Sequence, residues 1–402
     1  MIGLSAPSRP KTYVMQGQAA ARALDVYHLI LAPTHACNLR CRHCYLPDHH
    51  GYVMPFEQVA SLVDQWEEIV LRDRGALGGY FHLKGGEPLI VPYLVDVLDL
   101  LARKATLRFM MTTNGTFLRE RDLEAFSRLN DAVDGEVIVI VSLDGSNEEV
   151  HSLLRGPNQF GKTIQFSHAM VRAGLNLHFN YVVHSANIDD VPRFVALAEN
   201  IGASQVNFLP LVPKGYGLEM GEAGRPDLHE LHSILLRLYQ EGDRRRKELL
   251  AGNYAHILDL ERRGVGSSCE CVAGYRGLFY IMPEGDVYSC PNLVGKELTL
   301  GNFLETSLLE IHDVNIDELY ANRIQSSTVD DRYMCRGERL VKTSRPNRAA
   351  SALVTLPILG QSDFEGQHYA DPIRRLHDIL VREGLATQES GRGVSYCFSR
   401  NF

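Results

Sequence analysis

The stretch Val26–Leu46, VYHLILAPTHACNLRCRHCYL, runs a short apolar segment straight into three cysteines, Cys37, Cys41 and Cys44. The apolar part, Val26–Ala32, is rich in branched residues and ends at a proline, so it reads as a buried strand. The cysteines therefore sit on a loop at the carboxyl end of that strand. Three thiols so closely spaced converge on one point only if the backbone loops around them. Zinc is usually held by four ligands in two separated pairs, and iron–sulfur clusters normally take four cysteines. Three in one tight set, with His35 and His43 as the nearest extra donors, favour a 4Fe–4S cluster with one open iron over zinc or a reactive thiol.

Working outward, five more runs share the strand pattern: Tyr80–Lys84, Thr106–Thr112, Val137–Ser142, Leu177–Val183 and Gln205–Leu209. Between them lie helical patterns at Phe56–Leu71, Pro92–Arg103, Leu118–Leu129, Gly161–Ala173 and Ile188–Ile201. In the second of these Val95, Leu98 and Leu101 recur at helical spacing. Regular strand–helix alternation implies a parallel sheet with right-handed crossovers, open or barrel-like, whose ligands sit at the carboxyl ends of the strands. The expected fold is α/β: a partial (β/α)6 TIM-like barrel followed by a small C-terminal α+β domain of β-hairpin and helix. The hairpin is read at Leu278–Met282 and Val287–Ser289, around Pro283–Asp286. The expected divisions are an extension over 1–25, the barrel over 26–215, a helical linker over 216–263 that includes Leu228–Leu250, the small domain over 264–345 and an extension over 346–402.

The 402 residues are 45% hydrophobic and 22% charged, and the net charge is −8. That balance speaks for a folded globular chain and against a nucleic-acid surface. The run Arg244–Lys247 reads as a solvated helix end. No apolar run reaches 18 residues, and the N-terminal stretch lacks a secretory signal, so no membrane span and a cytoplasmic location are expected. In that compartment clustered thiols hold metal or do chemistry.

At this point the chain resembles the radical S-adenosylmethionine (SAM) enzymes. Their signature, C-x3-C-x-φ-C, is matched by Cys37, Cys41, His43 and Cys44. Further motifs follow in order at successive strand ends: KGGEP at Lys84–Pro88, TTNG at Thr112–Gly115, and VSLDG at Val141–Gly145 with EVHSLLRG after it. The resemblance spans about residues 26–210. It implies that the cluster's open iron chelates SAM and that one electron releases a 5′-deoxyadenosyl radical, which takes a hydrogen atom from the substrate. It also assigns cofactor contacts: Glu87 to the SAM ammonium, Gly85 and Gly86 to close backbone approach, Ser142 and Asp144 to the ribose or carboxylate, and His43 to the adenine, with Asn114 at the third strand end. Asp144 and Asn114 equally suit turns. Lys84 stands where the family often has threonine.

Later cysteines, Cys271, Cys290 and Cys335, resemble a shortened SPASM, or twitch, domain with one auxiliary Fe–S cluster. For its fourth ligand three readings stay open: Cys269, same-side on an extended chain, Cys397, or an open or carboxylate-ligated iron. Cys269 and Cys397 are also candidate hydrogen donors. Glu270, Tyr275, Tyr280 and Lys214 lie near the expected inter-domain face without an assigned role.

The resemblance implies an oxidoreductase that modifies or cross-links a ribosomally made peptide. The alternative is a small-molecule dehydrogenase or epimerase acting on an aminoglycoside, sugar or nucleoside. A non-catalytic Fe–S carrier or zinc protein is the alternative of another class. Implied partners are a precursor peptide or small substrate and an electron donor such as flavodoxin or ferredoxin. Only about 25 residues precede the first strand, so a leader-recognition module is expected either on a separate protein or not to be needed.

Overall fold

A computed structural model describes residues 11–15, 27–46, 49–74, 78–211, 215–250, 277–289, 291, 294, 299–313 and 386–390. Its centre is a nine-stranded sheet. The first six strands are β1 (His28–Leu31), β2 (Gly79–Leu83), β3 (Leu107–Thr113), β4 (Ile138–Ser142), β5 (Asn176–Val183) and β6 (Gln205–Pro210). They lie side by side in chain order and all pair in parallel. The crossovers are helical: α1 (Phe56–Arg74), α2 (Leu94–Leu101), α3 (Glu120–Ala132), α4 (Glu148–Arg155) with α5 (Phe160–Arg172), and α6 (Val191–Ile201). This is the expected parallel α/β layer, consistent with a partial barrel.

Strand pleat sorts the sequence into two faces. Leu29, Leu31, Phe81, Phe109, Val139, Phe179 and Phe208 form one continuous core with Trp66, Leu98, Phe126 and Phe194 from the helices. Each such fully buried side chain contributes about 1.5–3 kcal/mol relative to exposure. The alternate positions are also buried but largely polar, and include His28, His82, Asn176, His178, Asn180 and Asn207. Met110, Ile138 and Ile140 form a small separate apolar cluster among them. In α2 the buried stripe is Leu94, Val97, Leu98 and Leu101. Val95 is only partly buried beside it.

Two local expectations change. The linker helix expected over Leu228–Leu250 is two helices, α7 (Leu228–Glu241) and α8 (Arg244–Leu249). Gly242 breaks it, and the Asp243 side chain caps α8 by accepting from Arg246 N at 3.0 Å. The basic run thus begins a helix, and Arg246 makes a two-pronged ion pair with Glu199 at 2.7 Å per bond. Helix α4 was not expected. Asn147 caps its start and Gly156, at φ 83°, ends it.

The C-terminal hairpin forms as β7 (Leu278–Ile281) and β8 (Asp286–Tyr288). It is not a separate layer. β7 pairs in parallel with β1, Leu31 opposite Ile281, so it extends the sheet on the β1 side. A short β9 (Gly301–Asn302) pairs with β8, and α9 (Leu308–Asp313) packs on α1. Strands 11–15 and 386–390 pair with each other antiparallel. No helix among the described residues is long and apolar enough to cross a membrane.

Candidate active site at the carboxyl ends of the strands

The site grows from the loop after β1. Cys37, Cys41 and Cys44 are free thiols, each partly buried. The turn is closed by Cys44 N donating to Cys41 O at 3.1 Å, and Leu39 N lies 3.4 Å from Cys37 Sγ. Burial pushes all three thiols up, Cys37 to about 11, and negative charge on Cys44 adds to this at Cys37 and Cys41. Three neighbouring thiols with a raised cost of ionisation suit a cationic iron cluster, which would supply the charge that burial withholds.

The GGE turn after β2 is built against this loop. Gly86 N donates to Thr34 O and Glu87 N to Ala36 O, both at 2.9 Å. A side-chain carbon on Gly86 would overlap the Ala36 carbonyl, and one on Gly85, at φ 125°, would stand 2.6 Å from Thr34 O. The close approach these glycines permit is therefore to the backbone leading into Cys37.

Glu87 is buried at 1% exposure. Its carboxylate accepts from Leu89 N (3.0 Å), Thr113 Oγ1 (2.6 Å) and Asn114 N (2.8 Å). Burial raises its pKa against these donors. A carboxylate has about four acceptor positions, so three donors leave one. Asn114 joins this carboxylate to the thiols. Its Nδ2 donates to Asn38 Oδ1 at 2.8 Å and lies 3.9 Å from Cys37 Sγ. Thr116 binds both Asn114 and Asn38 at 2.7 and 2.8 Å.

Beyond the end of β4, where Ser142 sits, Asp144 is fully buried. Its Oδ1 accepts from Val182 N at 2.7 Å and its Oδ2 from Arg155 Nε at 2.5 Å. Burial pushes this carboxyl up, but Arg155, His43 and His151 hold it below the usual range. Arg155 also places Nη2 3.4 Å from His43 Nε2 and Nη1 3.8 Å from Cys41 Sγ. Burial lowers His43 to about 4, so it is neutral here.

Arg155 was missed from sequence, and so was His151, which receives Asp144 N at 3.2 Å. The signal was present: His151 and Arg155 stand four apart in EVHSLLRG, hence on one helical face. Lys84 gains a place as well. Its ammonium lies over the Tyr45 ring at 5.3 Å, and its charge lowers the Cys44 thiol against the effect of burial. Tyr45 in turn bonds Tyr280 of β7 at 2.9 Å. A cavity of about 300 Å³ opens on Cys41, lined by Arg40, Arg42, Tyr216, Glu219 and Met220.

The structure thus brings Cys37, Cys41, Cys44, His43, Gly85, Gly86, Glu87, Asn114 and Asp144 into one cluster of contacts. Cys269, Cys271, Cys290, Cys335 and Cys397, with Glu270, Tyr275 and Lys214, lie outside the described residues.

Residues 31–198 match the Radical SAM superfamily. Mycofactocin maturase MftC of Mycolicibacterium smegmatis is 27% identical over 67% of this chain. The match takes in 66% of that protein, a little under two thirds of its length. The AdoMet-dependent heme synthase of Methanosarcina barkeri is 27% identical over 69% of this chain and 79% of its own length. In three dimensions, SuiB of Streptococcus suis, crystallised with precursor peptide SuiA, superimposes with a TM-score of 0.55. That match has 16% identity over 73% of this chain and 66% of the other, a likeness of fold.

Proposed function

We propose that this chain, whose residues 31–198 are a radical SAM domain, cleaves S-adenosylmethionine reductively and takes a hydrogen atom from a ribosomally made precursor peptide, which it oxidises or cross-links. The observation that carries the reading is the Asn114 junction, which ties the thiol of Cys37 to the carboxylate of Glu87. Cys37, Cys41 and Cys44 would hold the 4Fe–4S cluster. When bound, the cluster supplies the electron that breaks a carbon–sulfur bond of SAM.

The chain's own residues do the rest. Glu87 keeps one acceptor position for the SAM ammonium. Asp144 takes the Nε side of Arg155, so the two terminal nitrogens stay turned toward Cys41 and His43, where a carboxylate can bridge them. Neutral His43 offers a flat ring face for adenine. The cavity beside Cys41 is a route for substrate.

The peptide substrate is supported by the likeness to a maturase and by the SLDG…H…RG pattern. A small-molecule substrate is the second reading, favoured by the likeness to a heme synthase. The auxiliary cluster of the 264–345 domain rests on the spacing of Cys271, Cys290 and Cys335, with Cys269 as favoured fourth ligand. A flavodoxin or ferredoxin as electron donor, a separate leader-recognition protein and a cytoplasmic location belong to the same proposal.

The test is anaerobic. Protein reconstituted with iron and sulfide is reduced, given SAM, and assayed for 5′-deoxyadenosine with and without candidate peptides and small molecules. Two clusters require about eight irons per chain. A rate that rises with one peptide supports the reading, and a rise only with a small molecule selects the second. No 5′-deoxyadenosine from protein with intact clusters would overturn both.

A further inference from the structure

We propose that His35, His50 and Glu284 form a binding site for one divalent transition-metal ion, zinc by its donor set, separate from the thiol cluster. One ligand atom from each of the three lies within 4.8 Å of the other two. The argument is one of hydrogen-bond arithmetic. His50 Nε2 lies 2.8 Å from His35 Nδ1 and also 2.8 Å from Glu284 Oε1. A ring nitrogen offers either one hydrogen or one lone pair. If Nε2 carries hydrogen, it points at one partner and turns nothing useful to the other. If Nε2 is bare, its lone pair meets the carboxylate at contact distance. Either way the two 2.8 Å contacts cannot both be full, linear hydrogen bonds. A cation among the three atoms satisfies all of them at once.

The three arms come from separate parts of the chain, and backbone bonds hold each. His35 follows Thr34, which bridges to Val53 and bonds Tyr52 O at 2.6 Å. That pairing brings residues 49–53 alongside, and the His50 ring meets the His35 ring at 2.8 Å. Glu284 is at the tip of the β7–β8 hairpin. Ala32 N bonds Ile281 O at 2.8 Å, which lays the end of β7 beside the start of the same loop. Gly285 N closes the turn on Met282 O at 2.9 Å, and Asn302 holds Glu284 O at 2.9 Å.

Two imidazoles and one carboxylate are a zinc donor set that leaves a fourth position for water. Magnesium and calcium prefer oxygen ligands, and zinc binds such sites more tightly than iron(II). Around a tetrahedral ion the ligand atoms stand about 3.3 Å apart, so the side chains open by about half an ångström on loading. His50 and Glu284 are 34% and 48% exposed, which gives the ion and its water access. Loading would fasten the hairpin to the loop that carries Cys37, two residues beyond His35.

The test uses the full chain with its clusters reconstituted, so that cysteines are occupied. Wild type, His50→Ala and Glu284→Gln are incubated anaerobically with zinc sulfate and passed over a chelating resin. Zinc and iron are then measured by mass spectrometry, and wild type by zinc-edge X-ray absorption. Wild type should retain about one zinc more than either variant, with only nitrogen and oxygen donors around it. Equal zinc in all three proteins, or a sulfur-coordinated zinc in wild type, overturns the site. Iron content checks the clusters. If His50→Ala loses iron, Glu284→Gln, altered at an exposed turn, carries the comparison.

Discussion

Arg155 Nε stands 2.5 Å from Asp144 Oδ2, while the same guanidinium reaches His43 at 3.4 Å and Cys41 Sγ at 3.8 Å. One buried carboxylate thus fixes a planar fork of donors beside the Cys41 thiol. Lysine at 155 would keep the charge but not the fork. Arg155→Lys should fold and load iron, yet show a KM for SAM raised roughly 10- to 150-fold, the 1.5–3 kcal/mol of a charged hydrogen bond. Arg155→Ala is harsher, because it strands a buried Asp144 at a cost of about 3–5 kcal/mol. Initial rates of 5′-deoxyadenosine formation against SAM concentration make the measurement. An unchanged KM in Arg155→Lys removes this residue from the SAM site.

Glu87 accepts three donors and has one acceptor position left. In Glu87→Gln the charge is gone, and whichever way the amide turns, its NH2 faces a backbone N–H, that of Asn114 or of Leu89, which can only donate. The variant should lose about 1–3 kcal/mol of stability from that clash of donors. SAM affinity should fall by a similar energy. Cluster iron should be unchanged, since Glu87 touches no thiol. Equilibrium dialysis of SAM, alongside an iron assay, separates the two effects. Full SAM affinity would mean the ammonium binds elsewhere.

Sequence disclosed the sheet well because each strand keeps a buried apolar face at alternate positions, and Leu177–Val183 differs from the observed Asn176–Val183 by one residue. The thiol loop was legible from spacing alone. Helix α4 was not, since eight residues hold too little periodicity beside the long helix that follows. With α4 unseen, the partner of Asp144 was unseen, and a turn reading stood level with a functional one. The pairing of β7 with β1 joins segments far apart in the chain, and nothing local encodes it. The reason for Gly86 needed the fold as well, because its neighbour is the Ala36 backbone rather than a ligand.

That neighbour yields a prediction. In Gly86→Ala the new carbon overlaps the Ala36 carbonyl, which is backbone and cannot rotate away. The loop must shift, and Cys37 shifts with it. The variant should lose most of its cluster iron after reconstitution. Gly174→Ala is the control. It has a positive φ of 73° but no neighbour within 4 Å, so it should cost only about 1 kcal/mol and keep its iron. Equal iron in both would show that the loop tolerates displacement.

The histidines on the polar face of the sheet give the protein an acid lability. His28 Nε2 lies 3.2 Å from His82 Nδ1, and His82 Nε2 lies 2.8 Å from Thr112 Oγ1. Burial, with the charge of Lys84 added, holds His28 down to about 3, and burial holds His82 well below its usual value. The folded state therefore keeps His28 neutral where the unfolded chain takes up a proton near pH 6.5. Below that pH the unfolded state binds more protons, so stability falls as pH falls, by about 1.4 kcal/mol per pH unit for each such histidine. Between pH 6.5 and 5 His28 alone accounts for about 2 kcal/mol. His28→Gln cannot take up that proton. It should be less stable than wild type at pH 7, having lost its bond to His82, but should lose about 2 kcal/mol less on going to pH 5. Anaerobic unfolding curves of the two proteins at several pH values test this by slope, which the lost hydrogen bond does not alter. Parallel pH dependences would mean that His28 takes up its proton inside the folded sheet, and that the polar face is wetter than its burial implies.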